Sequence, residues 1–149
     1  MHKTEIDIIK AKISQLKNIE DLLVKLFQER AILIYDMAGV KAIQYDKPKG
    51  NVNQNAIEMS KIKLSEDLKK IDVKIDGYLE MLKEILRLLK EIDKENEKLI
   101  VEGVKIKPSE VVVCVLCKEK SNQEAIKDFG FKNKMSMSRY IEKVIEGIL

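Results

Sequence analysis

Residues 121–149 read SNQEAIKDFGFKNKMSMSRYIEKVIEGIL, and the fold turns on how this stretch divides. Asn122 to Phe129 makes two turns of helix with Ala125, Ile126 and Phe129 as its inner face. Ser121 or Asn122 can serve as its N-cap, and with Ser121 as the cap, Glu124 can reach back to complete a capping box. Gly130 stands where a sharp turn between helices needs a left-handed residue. The segment FKNKMS then forms the turn, and Ser136 is expected to cap a last helix whose apolar face is Met137, Ile141, Val144, Ile145 and Ile148.

Upstream, Gly103 and Pro108 in VEGVKIKPSE interrupt helical patterning, so 101–107 reads as a linker. Pro108, Ser109 and Glu110 suit a helix first turn, where proline is tolerated and acidic residues complement the dipole. The run VVVCVLC that follows fits a buried strand or a helix. It is read as a helix because helices flank it. Residues 108–149 then have the outline of a three-helix unit of the helix-turn-helix kind.

In that geometry the start of the last helix enters the DNA major groove. Ser136, Ser138, Arg139 and, one turn on, Lys143 are its expected exposed residues, with Lys132 and Lys134 from the turn near phosphates. Between 127 and 143 five basic residues (Lys127, Lys132, Lys134, Arg139, Lys143) stand against two acidic ones (Asp128, Glu142), which locates much of a net charge of only +3. A guanidinium fork can pair with guanine in bidentate fashion, whereas lysines act as point charges, so Arg139 is the expected reader of a base edge.

Residues 57–99 carry the clearest periodicity. In heptad terms Ile57, Leu64, Ile71, Tyr78, Ile85, Ile92 and Leu99 fall at d, and Lys61, Leu68, Ile75, Leu82, Leu89 and Asn96 at a. Asn96 either fixes register in such a seam or marks its end. Leu79, Met81, Leu86 and Leu88 lie outside the seam, so between Tyr78 and Leu89 more than one neighbour is needed. Ile6, Ile9, Ile13, Leu16, Leu23, Phe27, Ile34 and Met37 give an earlier stripe, interrupted by Glu20 and Arg30. It predicts one helix from about Thr4 to about Ile43, roughly 60 Å long. Between the two, Pro48 and Gly50 in QYDKPKGNVNQN supply turn chemistry, and a loop over about 44–55 would return the chain as an antiparallel helical hairpin. The expectation is an all-α chain: a coiled-coil-like hairpin over 1–100 that forms a homodimer, then the module at 108–149. The expected dimerisation seam is Leu64, Leu68, Ile71, Ile75, Tyr78, Leu82, Ile85, Leu89, Ile92 and Asn96.

Composition restricts the other classes. Of 28 basic residues 25 are lysine, and only two prolines, six glycines and no tryptophan occur, as in a chain of long helices. The opening MHKTEIDIIKAKI mixes charges among apolar positions, unlike a secretory leader, and no window approaches the roughly 18 apolar residues of a membrane span. A cytoplasmic protein is expected. Cys114 and Cys117 form a lone C-x-x-C, and the one histidine is His2, so zinc would lack ligands and the cysteines read as small buried hydrophobes. The acidic residues Glu91, Asp93, Glu95 and Glu97 alternate with Lys94 and Lys98, as on a solvated face. No phosphate-binding loop, nucleophile elbow or H-E-x-x-H occurs, so no enzymatic activity, metal, cofactor or small-molecule ligand is expected.

The order AILIYDMAGVKAIQYDKPKGN, then EMSKIKLSEDLKKIDVKIDGYLEMLKEILRLLKEID, then KSNQEAIKDFGFKNKMSMSRYIEKVI resembles the ArpU/RinA-type regulators of phages and prophages of Gram-positive bacteria. Those proteins join a helical N-terminal region with a Tyr-Asp and Pro/Gly loop to a helix-turn-helix like that of sigma-factor region 4. The resemblance implies a transcriptional activator of phage late or packaging genes acting in the bacterial host cell, in possible contact with RNA polymerase. It departs from that pattern in placing Ile126 where an alanine commonly precedes the glycine, with Ala125 before it, and in a turn after Gly130 that looks one residue long. The competing expectation is a coiled-coil adaptor or antirepressor that holds a partner protein and no DNA.

Overall fold

The structure, a computed structural model, describes residues 3–46, 54–96, 99–101 and 103–149. The turn expected around Pro48 and Gly50 therefore lies outside the described residues, as does His2. The chain is mostly helical. In order it forms α1 (Lys3–Ser14), α2 (Leu16–Asp46), α3 (Gln54–Glu95), β1 (Leu99–Val101), β2 (Val104–Ile106), α4 (Pro108–Leu116), α5 (Asn122–Phe129) and α6 (Lys134–Glu146). Among the described residues no helix is long and apolar enough to cross a membrane.

Two features differ from the expectation of continuous helix. The stripe over 4–43 is broken at Gln15, although no proline or glycine is present there. Ser14 Oγ donates to the Ala11 carbonyl at 2.7 Å, and the Gln15 amide takes the Lys12 carbonyl, three residues back, at 3.2 Å. A serine that bonds its own preceding turn tightens and bends a helix, and here it ends one. The stretch expected as linker holds a β-hairpin, with Leu99 opposite Ile106, Ile100 opposite Lys105 and Val101 opposite Val104. Gly103 closes it at φ +80, a conformation that favours glycine.

The residues group into two compact units. The first joins Met1–Ile19 to Met81–Leu149, so the three C-terminal helices do not make a core alone. Ile6, Ile13, Leu16 and Ile19 are buried together with Ile85, Leu88, Leu89 and Ile92 of α3 and with the apolar faces of α4, α5 and α6. Helix α1 packs on both α4 and α6. The apolar run VVVCVLC is helical, with Val111, Val112 and Cys114 buried. Burial is also the leading reason that the Cys114 thiol titrates above its ordinary value.

The end of α3 holds this unit in register. Asp93 accepts from the Ser109 amide at 2.9 Å and its hydroxyl at 2.6 Å. It thereby caps the first turn of α4, where Lys107 supplies no side-chain cap and Pro108 has no amide to offer. Asn96 Nδ2 donates to the Ile92 carbonyl at 2.9 Å and to the Val144 carbonyl of α6 at 3.1 Å. Of the residues read as a solvated acidic face and a polar seam position, Asp93 and Asn96 are thus half-buried internal fasteners.

The second unit spans Glu20–Glu80. Leu23, Leu26 and Ile75 are buried, Leu33, Leu64, Leu68, Ile71 and Tyr78 half-buried, and Arg30 Nε pairs with Asp72 at 2.7 Å. Arg30, which appeared to interrupt the stripe, sits in the seam and satisfies its charge there. Phe27 and Ile34, read as seam residues, are 50% and 44% exposed. Leu26 and Leu33 take their places because the seam runs 19, 23, 26, 30, 33, 37.

Candidate nucleic-acid interface

The candidate surface is built on α4, α5 and α6, and each joint between them is set by local chemistry. Ser121 has extended backbone and its side chain accepts from the Glu124 amide at 3.2 Å, which makes it the N-cap of α5. Gly130 ends α5 in the left-handed region at φ 75 and ψ 27. Its amide and that of Phe131 both return to the Ile126 carbonyl, the latter at 2.9 Å, which satisfies a C-terminal orphan acceptor. Ala125 is the small residue buried on α5, with Phe129 beside it on the inner face.

The start of α6 differs from expectation. Asn133, not Ser136, is the N-cap: its backbone is extended and its Oδ1 accepts from the Ser136 amide at 2.8 Å. Both residue types cap well, but capping at Asn133 adds two residues of helix ahead of Ser136 and seats Met137 in the core, where it is 1% exposed. The turn is therefore shorter than FKNKMS. Ser136 lies inside the first turn and is half-buried, while Met135, absent from the sequence-derived set, is 61% exposed on the same turn.

Lys132, Lys134, Ser138, Arg139 and Lys143 are all exposed. Met137, Ile141, Val144 and Ile145 form the opposite, buried face of α6, so Ser138 and Arg139 belong to the outer one. Phe131 and Tyr140 rings pack with centroids 5.3 Å apart and brace the turn against α6. The Tyr140 hydroxyl is buried with no hydrogen-bond partner among the described residues. Desolvation, and after it the nearby charge of Asp93, raises its pKa.

Several lysines of this unit are engaged in ion pairs. Lys10 pairs with Glu142 at 3.2 Å, Lys12 with Glu84 at 2.8 Å, Lys17 with Glu119 at 2.9 Å and Lys120 with Asp128 at 2.6 Å. Lys120 also lies 5.6 Å from the centroid of the Phe129 ring, and the hydrogen bond it donates to Asp128 holds its ammonium above the ordinary lysine value. Glu84 titrates below the usual carboxylate range because Lys12 bonds and faces it. Among the described residues no ion pair engages Lys132, Lys134, Arg139 or Lys143. Of the two acidic residues on the outer face of α6, Glu142 and Glu146, the one nearer its start is offset by Lys10 of α1.

The expected dimerisation seam divides differently. Ile85, Leu89 and Ile92 are buried inside the first unit and Ile75 inside the second, while Leu64, Leu68, Ile71, Tyr78, Leu82 and Asn96 are half-buried. Leu88 is buried, whereas Met81 and Leu86 stay about half exposed. The sequence could not show that the chain's own helices cover this stripe. Periodicity fixes a face and says nothing of what covers it. Among the described residues no group of three His, Cys, Asp or Glu is placed to hold a metal ion.

No protein-family model matches the chain, and neither the curated proteins nor the solved structures contain a match to it.

Proposed function

We propose that this chain is a sequence-specific, double-stranded DNA-binding transcription regulator of the ArpU/RinA type, of phage or prophage origin, that acts as a homodimer and activates late genes. The observation that carries the reading is the set of unpaired cations around the start of α6. Lys132, Lys134, Arg139 and Lys143 are exposed and, among the described residues, in no ion pair, while Lys10, Lys12, Lys17 and Lys120 of the same unit are engaged by carboxylates. Phosphate binding releases counterions and rewards such free cations.

In this reading α5, the Gly130 turn and α6 are a helix-turn-helix, and α6 is the recognition helix. Its first turns would lie in the major groove, with Lys132 and Lys134 on phosphates and Arg139 forked onto guanine O6 and N7. The two helices of Glu20–Glu80 form a helical hairpin that serves self-association, and contact with RNA polymerase would follow from activation. The two capped joints fix the rotation of α6, so Arg139 and Ser138 share a rigid face. Ser136 contributes less than its position suggested, because it is half-buried under the Asn133 cap.

The test is duplex binding by fluorescence anisotropy across a salt series. Arg139→Ala is expected to cost about 1–3 kcal/mol on the preferred duplex and to relax base preference. Lys134→Ala is expected to weaken all duplexes alike and to lower the salt slope by about one. Equal binding by wild type and both variants would discard this surface.

A further inference from the structure

Helix α2 has a covered apolar seam and, beside it, an uncharged flank that no described residue covers. The covered face is the seam with Leu23, Leu26 and the Arg30–Asp72 pair. About 100° around the helix, at 3.6 residues per turn, lie Val24, Phe27, Ala31, Ile34 and Ala38. All five are exposed, Val24 by 56%, Phe27 by 50% and Ile34 by 44%. The flank on the other side of the seam carries the exposed charges Lys25, Glu29 and Asp36 among the apolar Leu22 and Ile32, the latter 61% exposed. Two flanks of one helix thus differ in charge, with none on the first and three on the second. An exposed flank with no charge over about four turns is what a helix shows where it meets another apolar surface.

From this we infer that the Val24 to Ala38 flank is the homodimer contact, formed by α2 against α2 of a second copy, antiparallel, with the two-fold axis at Ala31. This deepens the self-association in the reading above and moves it from the α3 seam to α2.

The order of side-chain sizes selects a second copy. About Ala31 the stripe is balanced in spacing: Phe27 and Ile34 lie one turn to either side, Val24 and Ala38 two turns. In an antiparallel pair Phe27 therefore meets Ile34 of the other copy and Val24 meets Ala38, while the small Ala31 residues face each other and let the helices approach. That is the self-complementarity an isologous interface requires, where i meets j and j meets i. Area agrees. Tyr35, 78% exposed, borders the stripe. With side chains of ~150–200 Å², the stripe and Tyr35 leave roughly 450 Å² open per copy, the size of the largest and often functional patch on a typical monomer. Two copies would bury about 900 Å² of it, and a polar rim brings the total into the range of about 1,200–2,000 Å² seen in stable pairs.

Light scattering on the full chain in solution tests this, with twice the 17.2 kDa of one chain expected for the wild type. Phe27→Glu places a charge in the contact at a site that is half exposed in one chain, and should give a monomer with unchanged helical circular dichroism. If that variant misfolds, Ala31→Cys decides: under mild oxidation it should form a covalent dimer, while Lys25→Cys on the charged flank and the wild type, with its native cysteines, should not. A monomeric wild type, a dimeric and folded Phe27→Glu, or cross-linking at Lys25 in place of Ala31 would overturn the assignment. Salt-dependent binding of a duplex by monomeric Phe27→Glu reports on α6 separately, so failure of this contact and failure of the DNA reading give different results.

Discussion

Replacing Asn96 with leucine separates two accounts of the longest helix, because they predict opposite signs. If α3 were a heptad seam with a polar break at 96, leucine would extend the apolar stripe and raise stability, increasingly so at higher protein concentration. The structure gives Asn96 another task. Its Nδ2 is the donor to Val144 O at 3.1 Å, in the last turn of α6 where helix carbonyls lack an internal partner. The Ile92 carbonyl would keep the backbone amide of residue 96 at 3.1 Å, so the loss falls on Val144. One half-buried acceptor left without a donor costs about 1–2 kcal/mol, which for a chain of this length lowers the melting temperature by roughly 2–8 °C. Thermal melts followed by circular dichroism at several protein concentrations read both sign and concentration dependence. Gly147 supplies an internal control, since a Cβ there would come within 3.2 Å of Asn96 Oδ1. Gly147→Ala should therefore be less favourable in wild type than beside Asn96→Ala, where relief of the contact leaves the helix propensity gain of up to about 1 kcal/mol. A higher, concentration-dependent melting temperature for Asn96→Leu would refute the internal-fastener account.

Three further outcomes are expected. Asn133→Ala should cost about 1 kcal/mol of stability and weaken duplex binding by freeing the start of α6, whereas Ser136→Ala should leave the melting temperature nearly unchanged; the reverse order would restore Ser136 as the cap. Asp93→Ala removes both bonds to Ser109 and should destabilise by about 1–3 kcal/mol in chemical denaturation, and an unchanged denaturation midpoint would show that α4 starts without it. Tyr140→Phe deletes a buried hydroxyl that has no partner among the described residues and should stabilise slightly or be neutral. Because the folded-state pKa of Tyr140 lies above the ordinary 10.0, its contribution is present below that value and is lost as pH rises through the folded pKa. Melts at alkaline pH should therefore fall less steeply for Tyr140→Phe than for wild type.

The C-terminal helices were legible because each boundary is a local choice. Ser121 with Glu124, Gly130 in the left-handed region and Pro108 in a first turn each leave a mark in two or three residues. The cap at Asn133 was missed because asparagine and serine compete within three residues, and the burial of Met137 decides between them. The hairpin at 99–106 was missed because strands of three residues show no alternation, and Gly103 reads equally as a helix stop. What no local pattern could give is partnership. The heptads of α3 spell a stripe, yet its cover is α1 and the C-terminal helices in one unit and α2 in the other. The six residues of the proposed DNA-binding set fared unevenly for the same reason: five are exposed by position on a surface, and Ser136 is withdrawn by a neighbour's hydrogen bond.

The central claim is sequence-specific recognition by α6, and selection from a random duplex DNA library with the full-length chain tests it most directly. The account predicts an enriched pair of half-sites, bound with steep salt dependence and discriminated less well by Arg139→Ala. A folded chain that enriches no sequence and binds no duplex in a salt-sensitive way would contradict it.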